Sequence, residues 1–149
     1  MRMNYNSDGI ELGTVPAAAL PGEYSLIVRQ VFDKDKEGNQ KETKNGDPMV
    51  SVRLEIDDAG EWLGTTVWHN VIFMKKDTNG KHKKGAGLAI QFLKALNQPH
   101  KNDFKIDTDQ WEDRTFRAKL KVGKDMNGNP RSEIQYIIDE KEPEAEVPF

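Results

Sequence analysis

The side chains with chemistry to offer are cations and aromatic rings. Residues 75–84, KKDTNGKHKK, hold five lysines against one aspartate, a local charge of +4. Lys34, Lys36, Lys41 and Lys44 crowd residues 33–47, and Arg117, Lys119 and Lys121 recur at every second position. Ammonium and guanidinium groups hold phosphate, while indole faces stack on bases, so such residues together suit single-stranded nucleic acid. Trp68 is the leading candidate for stacking, with Trp62 behind it. The candidate phosphate contacts are Arg53, Lys34, Lys36 and Lys44, then Lys75, Lys76, Lys83 and Lys84 of the cluster, and finally Lys119, Lys121 and Arg131.

Catalytic chemistry finds no comparable set. The run from Asp33 through Gly38 begins like an EF-hand calcium loop, but its twelfth position is Lys44 where a bidentate glutamate is required. Gly80 and Gly85 have the outer spacing of a phosphate-binding P-loop, yet Ala86 stands where that loop needs lysine. His69, His82 and His100 are scattered, Asp57 and Asp58 read as a solvated turn, and no nucleophile stands beside a base. The expectation is a protein without catalytic residues, metal or cofactor.

Composition bounds the rest. A chain of 149 residues favours a single domain. With 36% hydrophobic and 32% charged residues, the latter against a usual ~25%, it can build a modest core under a heavily charged surface. Cysteine is absent, which excludes disulfide frameworks and thiolate chemistry and fits a reducing compartment. The apolar run at 15–20 is short and broken by Pro16, and nothing approaches the ~20 apolar residues that cross a bilayer, so a soluble cytoplasmic protein without membrane contact is expected. The net charge of −3 is unevenly spread: residues 139–149 carry −4 and the remainder +1. A near-neutral body with a basic cluster and an acidic end suits a body that meets a polyanion and a tail that does not.

These side chains must be placed by strands. After an irregular lead-in over 1–21, residues 23–32 alternate, with Tyr24, Leu26 and Val28 on one face. A polar hairpin loop over 33–47 leads to a second strand with Val50, Val52, Leu54 and Ile56 inward. A third, 62–74, puts Leu63, Val67, Val71 and Phe73 inward and both Trp62 and Trp68 outward. Residues 85–97 change period: Leu88, Phe92 and Leu96, joined by Ala89 and Leu93, mark an amphipathic helix. The fourth strand, 114–122, turns Phe116, Ala118, Leu120 and Val122 inward, and the fifth does the same with Ile134, Tyr136 and Ile138.

The order β-β-β-α-β-β predicts an all-β fold, a β-barrel with one helix, of the OB type, over 22–138, followed by an acidic disordered tail over 139–149. In that fold oligonucleotides cross the second and third strands between loops that here span 33–47 and 124–131. An α+β sandwich is the competing architecture.

Residues 21–24 (PGEY), 45–52 (NGDPMVSV), 88–96 (LAIQFLKAL) and 111–116 (WEDRTF) together resemble phage-encoded single-stranded DNA-binding proteins, over roughly residues 20–138. Glu144, Glu146, Val147, Pro148 and Phe149 look like the acidic tip of bacterial single-stranded DNA-binding proteins, although this tail lacks the Gly/Gln-rich stretch and uses Glu where Asp is usual. The resemblance implies a sequence-independent single-stranded DNA-binding protein of phage replication or recombination, acting in the host cytoplasm. It also implies that the tip recruits phage or host replication and recombination proteins, an apolar anchor and free carboxylate suiting a basic-rimmed pocket. A homo-oligomer stays open. The alternative is an OB-like adaptor for protein or RNA with a solubilising tail.

Overall fold

The computed structural model describes residues 2–4, 6 and 18–139. Most of the lead-in and all five tip residues, Glu144, Glu146, Val147, Pro148 and Phe149, lie outside them. Five strands, β1 (Gly22–Phe32), β2 (Met49–Ile56), β3 (Thr66–Ile72), β4 (Thr115–Lys124) and β5 (Pro130–Ile137), form one antiparallel sheet in the order β3-β2-β1-β4-β5. A helix, α1 (Gly87–Ala95), lies between β3 and β4, and a 3-10 turn over Thr108–Gln110 precedes β4. The expected element order therefore holds. The hydrogen-bonded sheet is open, with β3 and β5 as its edges, and it curls until those edges bring Cα atoms within 8 Å of each other.

One face of the curl is the core. In β2, Val50, Val52, Leu54 and Ile56 are all buried, as alternation requires. Leu26 and Val28 of β1, Val67 and Val71 of β3, and Phe116, Ala118 and Leu120 of β4 meet them. Helix α1 closes this face with Ala89, Phe92 and Leu93, and Leu96 follows at its end. Phe92 is the hub: its ring centroid lies 5.4 Å from both Trp111 and Phe116, edge-on in each case. Trp111, in a stretch without periodicity, is the largest fully buried side chain, and its Nε1–H has no acceptor among the described residues.

Several expected facings are corrected. Leu63 is 59% exposed, because β3 begins at Thr66 and residues 61–64 form a turn closed by the Gly64 N–H donating to the Ile56 carbonyl at 2.8 Å. Trp62 belongs to that turn and packs partly buried against the core instead of pointing outward with Trp68. Leu88 is exposed because it lies off the buried side of α1, which is centred on Ala89, Phe92 and Leu93, and Val122 is exposed because β4 runs on past the core. In β5, Tyr136 points out and Ile137 packs against the core, since Leu120 and Lys119 pair with Ile134 and Tyr136 and leave Gln135 as a bulge. The lead-in also contributes: Ala19 is buried, with its N–H donating to Ser132 Oγ at 2.8 Å.

Four loops share one geometry. In residues 35–39, 77–81 and 125–129 an aspartate opens a turn whose fourth residue is glycine at φ +82, +75 and +80. Asp35, Asp77 and Asp125 each accept two following backbone N–H groups on one carboxylate oxygen at 2.9 Å. The segment 43–47 repeats the pattern with the Thr43 hydroxyl in place of the carboxylate. This is the three-residue hairpin loop that needs a left-handed residue, which glycine adopts without a Cβ clash. The lysine segment is thus a tight turn displaying its cations.

Candidate nucleic-acid interface

The outward face of β1, β2 and β3 gathers the aromatic and polar groups. Strand β3 buries Val67 and Val71 toward the core, with His69 half-buried on the same side, so alternation turns Trp68 outward, where it is 51% exposed. Beside it stands Phe32, 38% exposed, its ring centroid 5.8 Å from that of Trp68 and tilted by 35°. Simple alternation from Leu26 and Val28 would have buried Phe32. A bulge at Arg29 prevents this: Val28 and Gln30 pair with the consecutive residues Leu54 and Arg53, so the parity of β1 reverses and Val31 turns inward.

Around the two rings the face is polar. Arg53, directly across from Trp68, donates through Nε to Gln30 Oε1 at 2.9 Å and through Nη1 to Glu55 Oε1 at 2.8 Å. Arg29 reaches Glu55 at 3.4 Å and Asp113 at 3.6 Å, so the arginines here are largely balanced by carboxylates. Lys41 donates to Ser51 Oγ at 3.0 Å, and Ser51 in turn donates to Asn70 Oδ1 at 2.7 Å. This chain lies beside the rings, because Ser51 pairs across from both Phe32 and Asn70.

The loop over 33–48 is bent into position by bridges between Lys34 and Gln40 and between Glu42 and Pro48. At its base, Asp33 Oδ2 accepts from the Thr108 hydroxyl at 2.8 Å. At its end, the buried Asp47 accepts from the Lys75 N–H at 2.9 Å and faces the Lys83 ammonium at 3.8 Å. One carboxylate thereby ties this loop to the lysine segment. Lys34, Lys36, Lys44, Lys75, Lys76 and Lys84 project into solvent around it, with Lys83 half-buried.

Of the candidates read from sequence, the structure brings Trp68 and Arg53 onto one face, flanked by the two lysine-bearing loops. Lys119, Lys121 and Arg131 lie on the outward surface of β4 and β5, beyond β1. Trp62 is set apart in its turn. Phe32, Ser51 and Asn70 were not among the candidates: the signal for Phe32 was the break in alternation at Arg29-Gln30, and alternation placed Ser51 and Asn70 outward without showing that they pair.

His69 is half-buried on the core side of β3. Its ring lies 5.6 Å from Phe92, and burial pushes its pKa down from the usual 6.5 to about 4, leaving a neutral imidazole at physiological pH. Among the described residues no three His, Asp or Glu side chains are grouped to hold a metal ion, and no helix is long and apolar enough to cross a membrane. A scan against protein-family models finds no match to this chain, and a search of the curated proteins finds none.

Proposed function

We propose that the chain is a sequence-independent single-stranded DNA-binding protein with an OB-type barrel, acting in phage DNA replication or recombination and recruiting partner enzymes through residues 144–149. The observation that carries the reading is the exposed pair Phe32 and Trp68, two large rings 5.8 Å apart on an open sheet face where burial would be the ordinary fate of either. Bases offer flat faces to such rings whatever their identity, which makes binding tolerant of sequence. Lysines on the two adjoining loops supply charge to track phosphates, and the pinning of both loops by Asp47 limits the ordering needed on binding. The strand order, with β3 approaching β5, is compatible with closure into an OB barrel, and Arg53 and Trp68 lie on the second and third strands, the pair such barrels use.

The test is a titration of poly-dT, duplex DNA and RNA of equal length against the full chain, followed by tryptophan fluorescence. Trp111 is sealed in the core and Trp62 is partly buried, so quenching read in a Trp62→Phe background reports on the exposed Trp68. Poly-dT binds more tightly than duplex and quenches strongly. Equal affinity for duplex, or tighter binding of RNA, refutes the reading.

A further inference from the structure

Tyr136 is a residue that alternation would bury and the structure turns out. The bulge at Gln135 reverses the parity of β5, leaving Tyr136 51% exposed while Ile137 packs against the core. The bulge at Arg29 does the same for Phe32. A bulge gives up regular ladder pairing and serves to re-aim a side chain. Here two bulges on different strands each move an aromatic ring onto the same outward surface of one sheet.

The surroundings of Tyr136 are cationic. Lys119 lies directly across from it on β4, with Arg117 and Lys121 on the same face to either side. Neither Lys119 nor Lys121 forms an ion pair among the described residues, in contrast to Arg29 and Arg53 at the first pair of rings. Arg117 lies 3.8 Å from Asp58. Two carboxylates face the cluster: Glu23, across from Lys119 on β1, and Glu133, across from Lys121 and bound to Arg131 at 2.8 Å. The local balance stays positive, and a polyanion would meet two ammonium groups that need release no partner.

We propose that the outward surface of β4 and β5 is a second nucleic-acid station, with Tyr136 stacking a base and Lys119 and Lys121 holding the flanking phosphates. The proposal rests on the single-strand reading and extends it: one strand occupies two stations of one molecule, Phe32 and Trp68 at the first, Tyr136 at the second. Because the stations share no contacts, their losses should multiply.

The experiment uses the full chain and a (dT)20 probe carrying 5-iodouracil, with photocrosslinked peptides mapped on the wild type and affinities measured for Tyr136→Ala, Tyr136→Phe, Trp68→Ala and the double alanine variant. Crosslinks are expected at both Trp68 and Tyr136. Tyr136→Ala weakens binding about five- to hundredfold, Tyr136→Phe restores it, and the double variant shows the product of the single losses. Crosslinking at Trp68 alone, with Tyr136→Ala within twofold of wild type, overturns the second station and leaves the single-strand reading standing. An affinity loss in Tyr136→Ala without a wild-type crosslink at Tyr136 also overturns it, because the loss then arises from folding. Failure of the wild type to bind (dT)20 overturns both.

Discussion

Replacing Trp68 by alanine separates stacking from folding, because this indole has little structural duty. It is half-exposed and packs against Phe32 on the outward face, so its removal forfeits an aromatic pair worth about 0.5–1.5 kcal/mol and opens no core cavity. Stability in urea should fall by about 1 kcal/mol with an unchanged slope. The loss on DNA should be larger: a stacked base contributes about 1–3 kcal/mol, which raises Kd for single-stranded DNA roughly 5- to 150-fold. Trp68→Phe keeps a flat face and should stay within a few-fold of wild type. Trp62→Ala is the opposing control. Its ring packs against the core, so about 2 kcal/mol of stability should go, roughly half the cost of truncating a fully buried tryptophan, while affinity holds. Fluorescence anisotropy with labelled (dT)20, beside urea unfolding of each variant, measures both quantities. A folded Trp62→Ala that loses DNA while Trp68→Ala retains it would refute the assignment of the outward face as the binding surface.

Other outcomes follow from the same structure. Affinity for poly-dT should fall with salt at a log–log slope of about −3 to −4, the value for roughly five phosphate contacts at −0.7 each; a flat response removes the lysines from the site. His69 is held neutral with a folded pKa of about 4, below its unfolded 6.5, so the unfolded chain takes up the proton first. The stability this provides is complete above pH 6.5 and is lost as pH falls toward 4, on the order of 3 kcal/mol in all. His69→Leu should flatten that part of the urea midpoint against pH, and a profile parallel to wild type would show that the imidazole charges as easily folded as unfolded. Deleting residues 139–149 removes a net −4 and the exposed Lys94–Asp139 pair, which is worth little. Folding should survive, single-strand affinity should be unchanged or slightly higher at low salt, and pull-down of replication or recombination partners should fail, as it should for Phe149→Ala; a tailless chain that loses DNA places the tail in the DNA site or the fold.

Local periodicity made much of this architecture legible. Side chains of an extended backbone alternate whatever lies beside them, so Val50, Val52, Leu54 and Ile56 could be assigned to the core and Trp68 to the outside from spacing alone. The helix announced its buried face through Ala89, Phe92, Leu93 and Leu96 for the same reason. The Asp-x-x-Gly turns are equally local, since one carboxylate and one glycine close each of them.

What alternation cannot carry is the point where it breaks. The bulges at Arg29 and Gln135 exist only in pairing with β2 and β4, and a one-residue slip in that pairing sends every later side chain to the opposite face. Phe32 and Tyr136 therefore read as core or strand end in one dimension and as surface in three. Leu63 and Val122 depend on where a strand begins and where the core ends, Leu88 on which side of the helix meets the sheet, and Trp111 enters the core through Phe92, nineteen positions earlier in the chain. The chain's own pattern determined its strands, its helix and the outward turn of Trp68; the partnership of Trp68 with Phe32, and the tie from Asp47 to the lysine segment, arose only when distant strands and loops were packed side by side, because those contacts are properties of pairs and not of any single stretch.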